Sequence, residues 1–272
     1  FAEKEKINFM GVSAKYIDAL SKDDVDIIGN YNLSNLEIIG STGSPLVHES
    51  FDYIYTLIKK DVSVASLSGG TDLVGCFLGG NPFSPVRRGE LQGPILGMDV
   101  HVFDENGKSI NNSKGELVCV QSFPTMPIFF WNDINNKKYH DAYFNKFPNV
   151  WCHGDYVMKT ENNGFIIFGR SDATLNPGGV RIGTAEIYRQ VEQLEEIIEG
   201  LVVGQIWNSD TRVILFVRLN PIFKLTKELT DKIKSKIRIG ASPRHVPSKI
   251  IAVKDIPRTK SGKIAELAVR DI

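Results

Sequence analysis

The sequence predicts a mixed fold, an α/β part followed by a small α+β part. Helical and strand periodicities alternate over residues 13–67, and short strands joined by Asn-Gly turns follow from about residue 97. A second alternation of helices and strands begins near residue 172. A chain of 272 residues is long enough for two modest cores. We therefore expect two domains, residues 1–171 and residues 172–272.

The first part begins as an α/β layer over residues 13–60. Its second predicted helix places five apolar residues on one face: Val47, Phe51, Ile54, Tyr55 and Ile58. The β-rich run at 62–67 ends at Gly69 and Gly70, which is typical of a buried strand that delivers a loop at its carboxyl end. Ligands bind at such strand ends, so this loop is a candidate site.

A β-rich subdomain is predicted next, because hairpin turns occur at Asn106-Gly107 and Asn163-Gly164. After it, a Gly-rich loop leads to a helix from about Thr184, two strands, a Lys-rich amphipathic helix at 225–239 and a last strand. This order predicts a compact α+β domain.

Charge and composition exclude several classes of function. Lys plus Arg equal Asp plus Glu at 32 each, so no broad basic surface is expected for nucleic acid or an anionic membrane. No apolar run reaches the roughly 18 residues of a membrane span, and no signal peptide is evident, which favours a soluble, cytosolic protein. The three cysteines and five histidines have no metal-site or catalytic-triad spacing. The chain begins at Phe1 and reads as a piece of a longer one.

Five segments together resemble the core motifs of the adenylate-forming superfamily, which includes acyl-CoA synthetases, luciferases and peptide-synthetase adenylation domains. Each alone is weak, but their order and spacing are specific. In chain order they are Ser41 to Pro45, Ser68 to Asp72, Trp151 to Asp155, Gly169 to Tyr188, and Pro257 to Lys263.

The resemblance covers essentially the whole chain and implies its architecture. Residues 1–171 would be the C-terminal part of the large AMP-binding domain, and residues 172–272 a small mobile domain. The family's Ser/Thr/Gly-rich phosphate loop, which precedes these motifs, does not occur in the 272 residues. We therefore expect an incomplete active site whose remainder lies in a missing N-terminal part of the same protein.

The family's reaction is an acid–thiol ligation in two steps. A carboxylate attacks the α-phosphate of ATP to give an acyl-adenylate and pyrophosphate, and the thiol of coenzyme A then displaces AMP. The cofactors implied are ATP, Mg²⁺ and coenzyme A, and the acid is expected to be short. Two alternatives stay open: a synthetase for a different short-chain acid, and a nucleotide-binding regulatory or carrier-loading module without CoA chemistry.

By resemblance, the adenine-binding loop contains Gly43, Ser44 and Pro45, although Pro45 equally suits the first turn of the following helix. Asp155 matches the residue that binds both ribose hydroxyls, as a carboxylate can. Its alternative is a turn Asp that caps the hairpin at 161–164.

Four residues after the 62–67 run are assigned by the same resemblance. Thr71 would contact the α-phosphate and Asp72 would help to hold Mg²⁺, while Gly70 lets the backbone approach the nucleotide. Asp72 stands where the family commonly has Glu, so its contact with magnesium is direct or through water. The alternative is a simple turn with an N-cap. Gly69 is predicted to leave room in the acyl pocket for an acid larger than acetate, or else to satisfy a backbone that needs glycine.

Two arginines and a glycine near the predicted domain junction are also assigned by the resemblance. Arg170 and Arg181 are predicted to contact ribose and phosphate oxygens, with solvated arginines as the alternative. Gly179 would line the tunnel for the pantetheine arm of coenzyme A, with a flexible loop as the alternative.

Lys263 matches the catalytic lysine that reaches the substrate carboxylate and phosphate oxygens; an exposed surface lysine is the alternative. Asp172 resembles the hinge about which the small domain rotates between the half-reactions, or is an ordinary loop Asp or cap. Lys236, in the Lys-rich helix, is a candidate contact of coenzyme A, or part of a solvated face.

Overall fold

The structure is a computed structural model that describes residues 1–23, 25–208, 210–260 and 262–271. It divides into two compact units, Phe1–Ile167 and Phe168–Ile272. The predicted α/β and α+β class is confirmed. The predicted boundary after residue 171 falls four residues beyond this division (171 against 167), and the domain identities stay predictions.

The first unit begins with a parallel three-stranded sheet of order β1-β2-β3, whose two helices follow β1 and β2. Its elements are β1 (Phe9–Ser13), α1 (Ala14–Lys22), β2 (Ile38–Thr42), α2 (His48–Tyr53) and β3 (Ser63–Ser66). Ser13 caps α1 by accepting a hydrogen bond from the Tyr16 amide. Because the strands are parallel, the carboxyl ends of β2 and β3 meet at one edge.

The predicted long helix after β2 is only partly correct. Helix α2 continues as a π-helical segment, Ile54–Ile58, in which the Lys59 amide bonds the carbonyl of Ile54, five residues back. Tyr53, directly before this segment, is buried, whereas Tyr55, which the predicted apolar face included, is only half-buried.

The glycine pair after β3 does not begin a loop, contrary to the prediction. Gly69 and Gly70 do not form a loop but belong to β4 (Ser68–Gly70), which pairs antiparallel with β5 (Gly75–Gly79). Strand β6 (Gly93–Pro94) completes this small sheet. The loop lies one step later, as a tight turn over residues 71–74. Glycines without side chains allow the two hairpin strands to approach closely.

The predicted hairpins form an antiparallel sheet of order β10-β9-β8-β7, and the two predicted turns, at Asn106 and Asn163, are confirmed. Its strands are β7 (Val100–Phe103), β8 (Lys114–Cys119), β9 (Trp151–Lys159) and β10 (Phe165–Arg170). Helix α3 (Lys137–Tyr143) was not predicted. The Asp133 carboxylate caps it by accepting from the amides of Lys138 and Tyr139.

The second unit is built on a three-stranded sheet with helices on both faces. Its elements are α4 (Thr184–Val191), β11 (Ile197–Trp207), β12 (Asp210–Leu219), α5 (Lys227–Gly240), β13 (Lys249–Val253) and α6 (Glu266–Arg270). Alternation along β11 explains the two cores: Val202 packs with α4 and α5, whereas Leu201 and Val203 face the other cluster, which includes Val269 of α6. The predicted elements are confirmed, and α6 was not predicted.

In the part of the chain that the structure describes, no helix combines the length and apolarity needed to cross a bilayer.

Candidate active site

The predicted adenine loop follows β2 at the carboxyl edge of the parallel sheet. Gly43 has a left-handed φ of +90°, and a Cβ added there would meet no atom within 4 Å, so the loop offers open backbone. Helix α2 begins only at His48, with Val47 as its N-cap. The alternative that places Pro45 in the first helical turn is therefore wrong, and Ser44 and Pro45 are loop residues.

Asp155 lies in the middle of β9, so the alternative of a turn Asp capping the next hairpin is wrong. Its side chain is buried, and the residue is 9 % exposed. Ser68, the first residue of β4, donates a hydrogen bond to the Asp155 carboxylate at 3.3 Å. His153 Nε2 lies 3.9 Å from the same oxygen. The glycine hairpin and β9 thus meet at a buried carboxylate.

A bulge in β9 aims this carboxylate. Glu116 of β8 pairs with Tyr156 of β9, and the next pair is Val118 with Cys152. One residue of β8 therefore lies opposite three residues of β9. The extra residues include Gly154, which has φ +79°. Bulges re-aim side chains next to binding sites, and here the bulge gives His153 and Asp155 buried positions on either side of a glycine.

Asp72 lies exposed in the turn after β4, beside Thr71, and the structure gives it a partner that the sequence did not reveal. The Tyr143 hydroxyl donates a hydrogen bond to the Asp72 carboxylate. The Tyr143 ring stacks on Trp151 at 3.7 Å with an interplanar angle of 13°. A Cβ at Gly70 would lie 2.2 Å from Asp72 Oδ1, so Gly70 leaves the space that this carboxylate occupies. The i, i+4 spacing of Tyr139 and Tyr143 was the available signal for their helix.

Asp72 could bind magnesium only together with ligands from water and the substrate phosphates. The described residues contain no group of three or more His, Cys, Asp or Glu side chains that could hold a metal. Mg²⁺ commonly takes one or two protein carboxylates and completes its shell with water and substrate phosphates. A single exposed carboxylate suits that arrangement.

Gly69 is crowded by backbone. A Cβ there would lie 2.0 Å from the Gly75 carbonyl oxygen and 2.5 Å from Cys76 Cα in β5. No side chain fits without moving the hairpin. This geometry supports the alternative in which backbone packing requires glycine at position 69, rather than the one in which an absent side chain enlarges an acyl pocket.

In the second unit, Arg170 and Asp172 lie close together at the end of β10. Arg170 Nε is 3.5 Å from Asp172 Oδ1, and both side chains are about half exposed. The Asp172 carbonyl accepts a hydrogen bond from Arg270 of α6 at 2.9 Å. Asp172 is thus a loop residue and not a helix cap, since α4 begins at Thr184. Its role as a hinge stays a prediction.

Arg181 has structural partners close to this loop. It donates from Nε to Thr174 Oγ1 and from Nη2 to the Ser171 carbonyl, both at 3.0 Å. These bonds anchor its guanidinium within the loop that carries the glycines. A contact with nucleotide is therefore a prediction that competes with bonds already present.

The Gly-rich loop has two consecutive left-handed glycines, Gly178 at φ +58° and Gly179 at φ +77°. The Asp210 carboxylate accepts from the Gly178 amide at 3.0 Å, and Arg244 donates to the Gly178 carbonyl at 3.4 Å. A Cβ added at Gly179 would meet nothing within 4 Å. The open face at Gly179 suits the predicted passage of a narrow ligand, which remains untested.

Lys263 ends a tight hairpin, and its side chain is exposed. The Thr259 amide donates to the Lys263 carbonyl at 2.8 Å, and the Lys263 amide donates to Thr259 Oγ1 at 3.2 Å. Gly262 takes φ +83°, which closes the turn. Ser261 of the same motif lies outside the described residues. Lys263 thus lies exposed directly after the turn of a hydrogen-bonded hairpin that also carries Lys260.

The Lys-rich helix α5 buries Leu229, Ile233 and Ile237, as its periodicity predicts. Lys232 forms an ion pair with Glu196, with Lys232 Nζ 2.5 Å from Glu196 Oε1. Lys236 is half-buried, and its contact with coenzyme A stays a prediction.

Helix α6, directly after the Lys263 hairpin, is held by a hydrogen bond between two half-buried side chains. The Tyr188 hydroxyl donates to Glu266 at 2.6 Å and accepts from the Val202 amide at 3.0 Å. Burial raises the pKa of Glu266 above its usual value, although hydrogen bonds from Tyr188 and Thr184 act in the opposite direction. Burial and then the Glu266 charge raise the pKa of Tyr188. Relative to the unfolded chain, folding therefore shifts the Glu266 carboxyl group toward its protonated form.

We expect Glu266→Gln to stabilise the protein at neutral pH. With a raised pKa in the folded state, the native carboxyl costs stability once pH exceeds its usual value of 4.5 in the unfolded chain, and the cost is complete above the folded pKa. Below about pH 4 both states are protonated, so the two proteins should then unfold alike. Thermal unfolding of both between pH 4 and 8 checks this. A constant difference at every pH would assign the effect to packing.

No protein-family model matches the chain. The chain is 58 % identical over 272 residues to the acetoacetyl-coenzyme A synthetase of Rhizobium meliloti (strain 1021). The aligned region covers all of this chain and 42 % of that protein. It is 45 % identical over 269 residues to the acetoacetyl-CoA synthetase of Mus musculus, covering 98 % of this chain and 40 % of the relative.

Solved structures agree. An acetoacetyl-CoA synthetase from Streptomyces lividans superposes with a TM-score of 0.92 at 42 % identity, covering 99 % of this chain and 41 % of that one. An anthranilate CoA ligase, solved with anthranoyl-AMP, superposes with a TM-score of 0.81 at 19 % identity over 99 % of this chain and 50 % of that one, which shows a shared fold alone. The chain thus spans about two fifths of the length of its curated relatives.

Over its whole length, the chain is homologous to one part of acyl-CoA synthetases, the class that these relatives and structures represent. The resemblance predicted from the motifs is confirmed. Within this class, it is homologous over its whole length to acetoacetyl-CoA synthetases.

Proposed function

We propose that this chain is part of an AMP-forming acetoacetate–CoA ligase. Acetoacetate, ATP and coenzyme A would give acetoacetyl-CoA, AMP and pyrophosphate. The observation that carries the proposal is the 58 % identity across all 272 residues, which include the five motifs. The other activities considered from the sequence have no comparable support.

In the adenylation step, a carboxylate oxygen of acetoacetate attacks the α-phosphorus of ATP, and pyrophosphate leaves. The buried Asp155 carboxylate would accept hydrogen bonds from the ribose hydroxyls, and its contact with Ser68 keeps it aimed. Thr71 would bond the α-phosphate. When bound, magnesium would neutralise phosphate charge, and Asp72, held by Tyr143, is the carboxylate placed to share it.

Lys263 would stabilise the negative charge that develops between the acid and the α-phosphate. In the second step the CoA sulfur attacks the acyl carbonyl carbon, and AMP leaves. Gly179 would then face the pantetheine arm, which requires a different arrangement of the second unit. We propose rotation about Asp172 for this change.

The acid is tested in the full-length protein that carries this chain. We expect pyrophosphate release with acetoacetate to exceed that with acetate, propionate and butyrate, and the thioester to form only with coenzyme A present. A higher kcat/KM for one of the other acids would redirect the assignment to a different short-chain synthetase. Acyl-adenylate turnover independent of coenzyme A would favour a module without CoA chemistry.

The 272-residue chain alone is expected to give no ATP–pyrophosphate exchange with acetoacetate. Its sequence contains no Ser/Thr/Gly-rich phosphate loop. The backbone amides of such a loop supply much of the binding of the β- and γ-phosphates. Exchange of labelled pyrophosphate into ATP is the measurement, with the full-length protein as the positive control. Robust exchange by the chain alone would refute the expectation.

A further inference from the structure

One of the most deeply buried acidic groups of the second unit contacts the hairpin that carries Lys263. Glu199, in β11, is 1 % exposed. It lies at a register shift between β11 and β12 and faces Arg218, whose Nη1 is 3.0 Å from Glu199 Oε1. A second guanidinium, Arg258 Nη2, contacts Glu199 Oε2. Two arginines from different elements thus meet one carboxylate.

Arg258 belongs to the hairpin itself. Its backbone forms a bridge with Ile264, and its Nη1 donates to the Gly262 carbonyl at 2.9 Å. The same guanidinium therefore joins the residue directly before Lys263 to a buried group of the sheet. Only a planar fork of donors can make both contacts at once.

The energetics favour a role beyond the stability of the sheet. A buried carboxylate is costly unless paired, and Arg218 alone would provide that pairing. The additional contact with Arg258 fixes an otherwise exposed loop to the sheet. An exposed lysine has a long flexible stem, so the position of its backbone limits where its charge can lie.

We propose that Glu199, acting through Arg258, is a positioning residue for Lys263 in the adenylation step. This rests on the proposed function of Lys263 and goes beyond it. Small displacements of a reacting group reduce rates steeply, by as much as about 10² for 1 Å. Loosening the hairpin should therefore slow adenylation without affecting thioester formation, which does not use Lys263.

The test compares Glu199→Gln with Glu196→Gln in the full-length protein. Glu196 is a matched control, because it is also a mostly buried glutamate of the second unit paired with one cation, Lys232. We expect Glu199→Gln to lower kcat for pyrophosphate release about 10-fold or more, with conversion of supplied acetoacetyl-AMP and coenzyme A within about 2-fold of the parent. Glu196→Gln should leave the ratio of the two half-reactions unchanged.

Arg258→Lys provides a second variant if Glu199→Gln fails to fold. An ammonium keeps the charge but not the fork, so we expect the same selective loss of adenylation. Equal loss in both half-reactions, or none in either variant, would overturn the proposal. Lys263→Ala in the same assay separates the two hypotheses: if it slows adenylation and the Glu199 and Arg258 variants do not, the proposed function stands and the positioning role fails.

Discussion

Replacing Lys263 by alanine in the full-length protein is expected to slow acyl-adenylate formation by about 10² or more. In the proposed mechanism, the Lys263 ammonium stabilises the negative charge that develops at the α-phosphate, and alanine removes that partner. Thioester formation from supplied acetoacetyl-AMP should largely survive, because the proposed mechanism does not use the lysine in that step.

Single-turnover measurement of pyrophosphate release and of thioester formation checks this division. Lys260→Ala is the matched control, since Lys260 is an exposed lysine of the same hairpin and should leave both rates near those of the parent. Equal damage to both steps by Lys263→Ala would contradict the division of labour and the rotation about Asp172 built on it.

Gly69→Ala is expected to reduce activity with every acid alike and to destabilise the protein. Its Cβ would overlap the Gly75 carbonyl and Cys76 Cα, which are backbone atoms and cannot swing aside as a side chain does. We expect a loss of about 3 kcal/mol, the upper end of the usual cost of overpacking. Gly69→Trp should destabilise the protein further and should not change its acid preference from acetoacetate to acetate.

Denaturant unfolding and the acetoacetate-to-acetate ratio of kcat/KM are the measurements. Gly11→Ala is the matched control, since Gly11 is also a strand glycine but its Cβ would lie 3.5 Å from the Phe9 ring, an ordinary contact. A stable Gly69→Trp variant that prefers acetate would restore the acyl-pocket interpretation and contradict the crowding argument.

Much of the fold could be predicted from local patterns. The hairpin turns at Asn106 and Asn163 and the apolar face of α5 depend on nearby residues, and each is found as expected. The π-helical turn at 54–58 could not be predicted, because it responds to packing across the layer rather than to the helical period.

For the candidate site, the motifs located Asp72, Asp155 and Lys263 but not what holds them. Tyr143 reaches Asp72 from 71 residues along the chain, and Glu199 reaches Arg258 from 59 (258 against 199). Such pairings form only in the folded chain, so a single sequence carries no local signal for them. The bulge at Gly154 was equally hidden, because it exists only relative to β8.

The hydrogen bond between Tyr143 and Asp72 limits which substitutions these positions can accept during evolution. A longer glutamate at position 72 would carry its carboxylate past the tyrosine hydroxyl, and a side chain at position 70 would occupy the space that Asp72 now uses. Positions 70, 72 and 143 therefore constrain one another, and a mutation at any one of them alone meets a barrier that a paired change would lower. Descendants of this sequence should keep or exchange the three as a set.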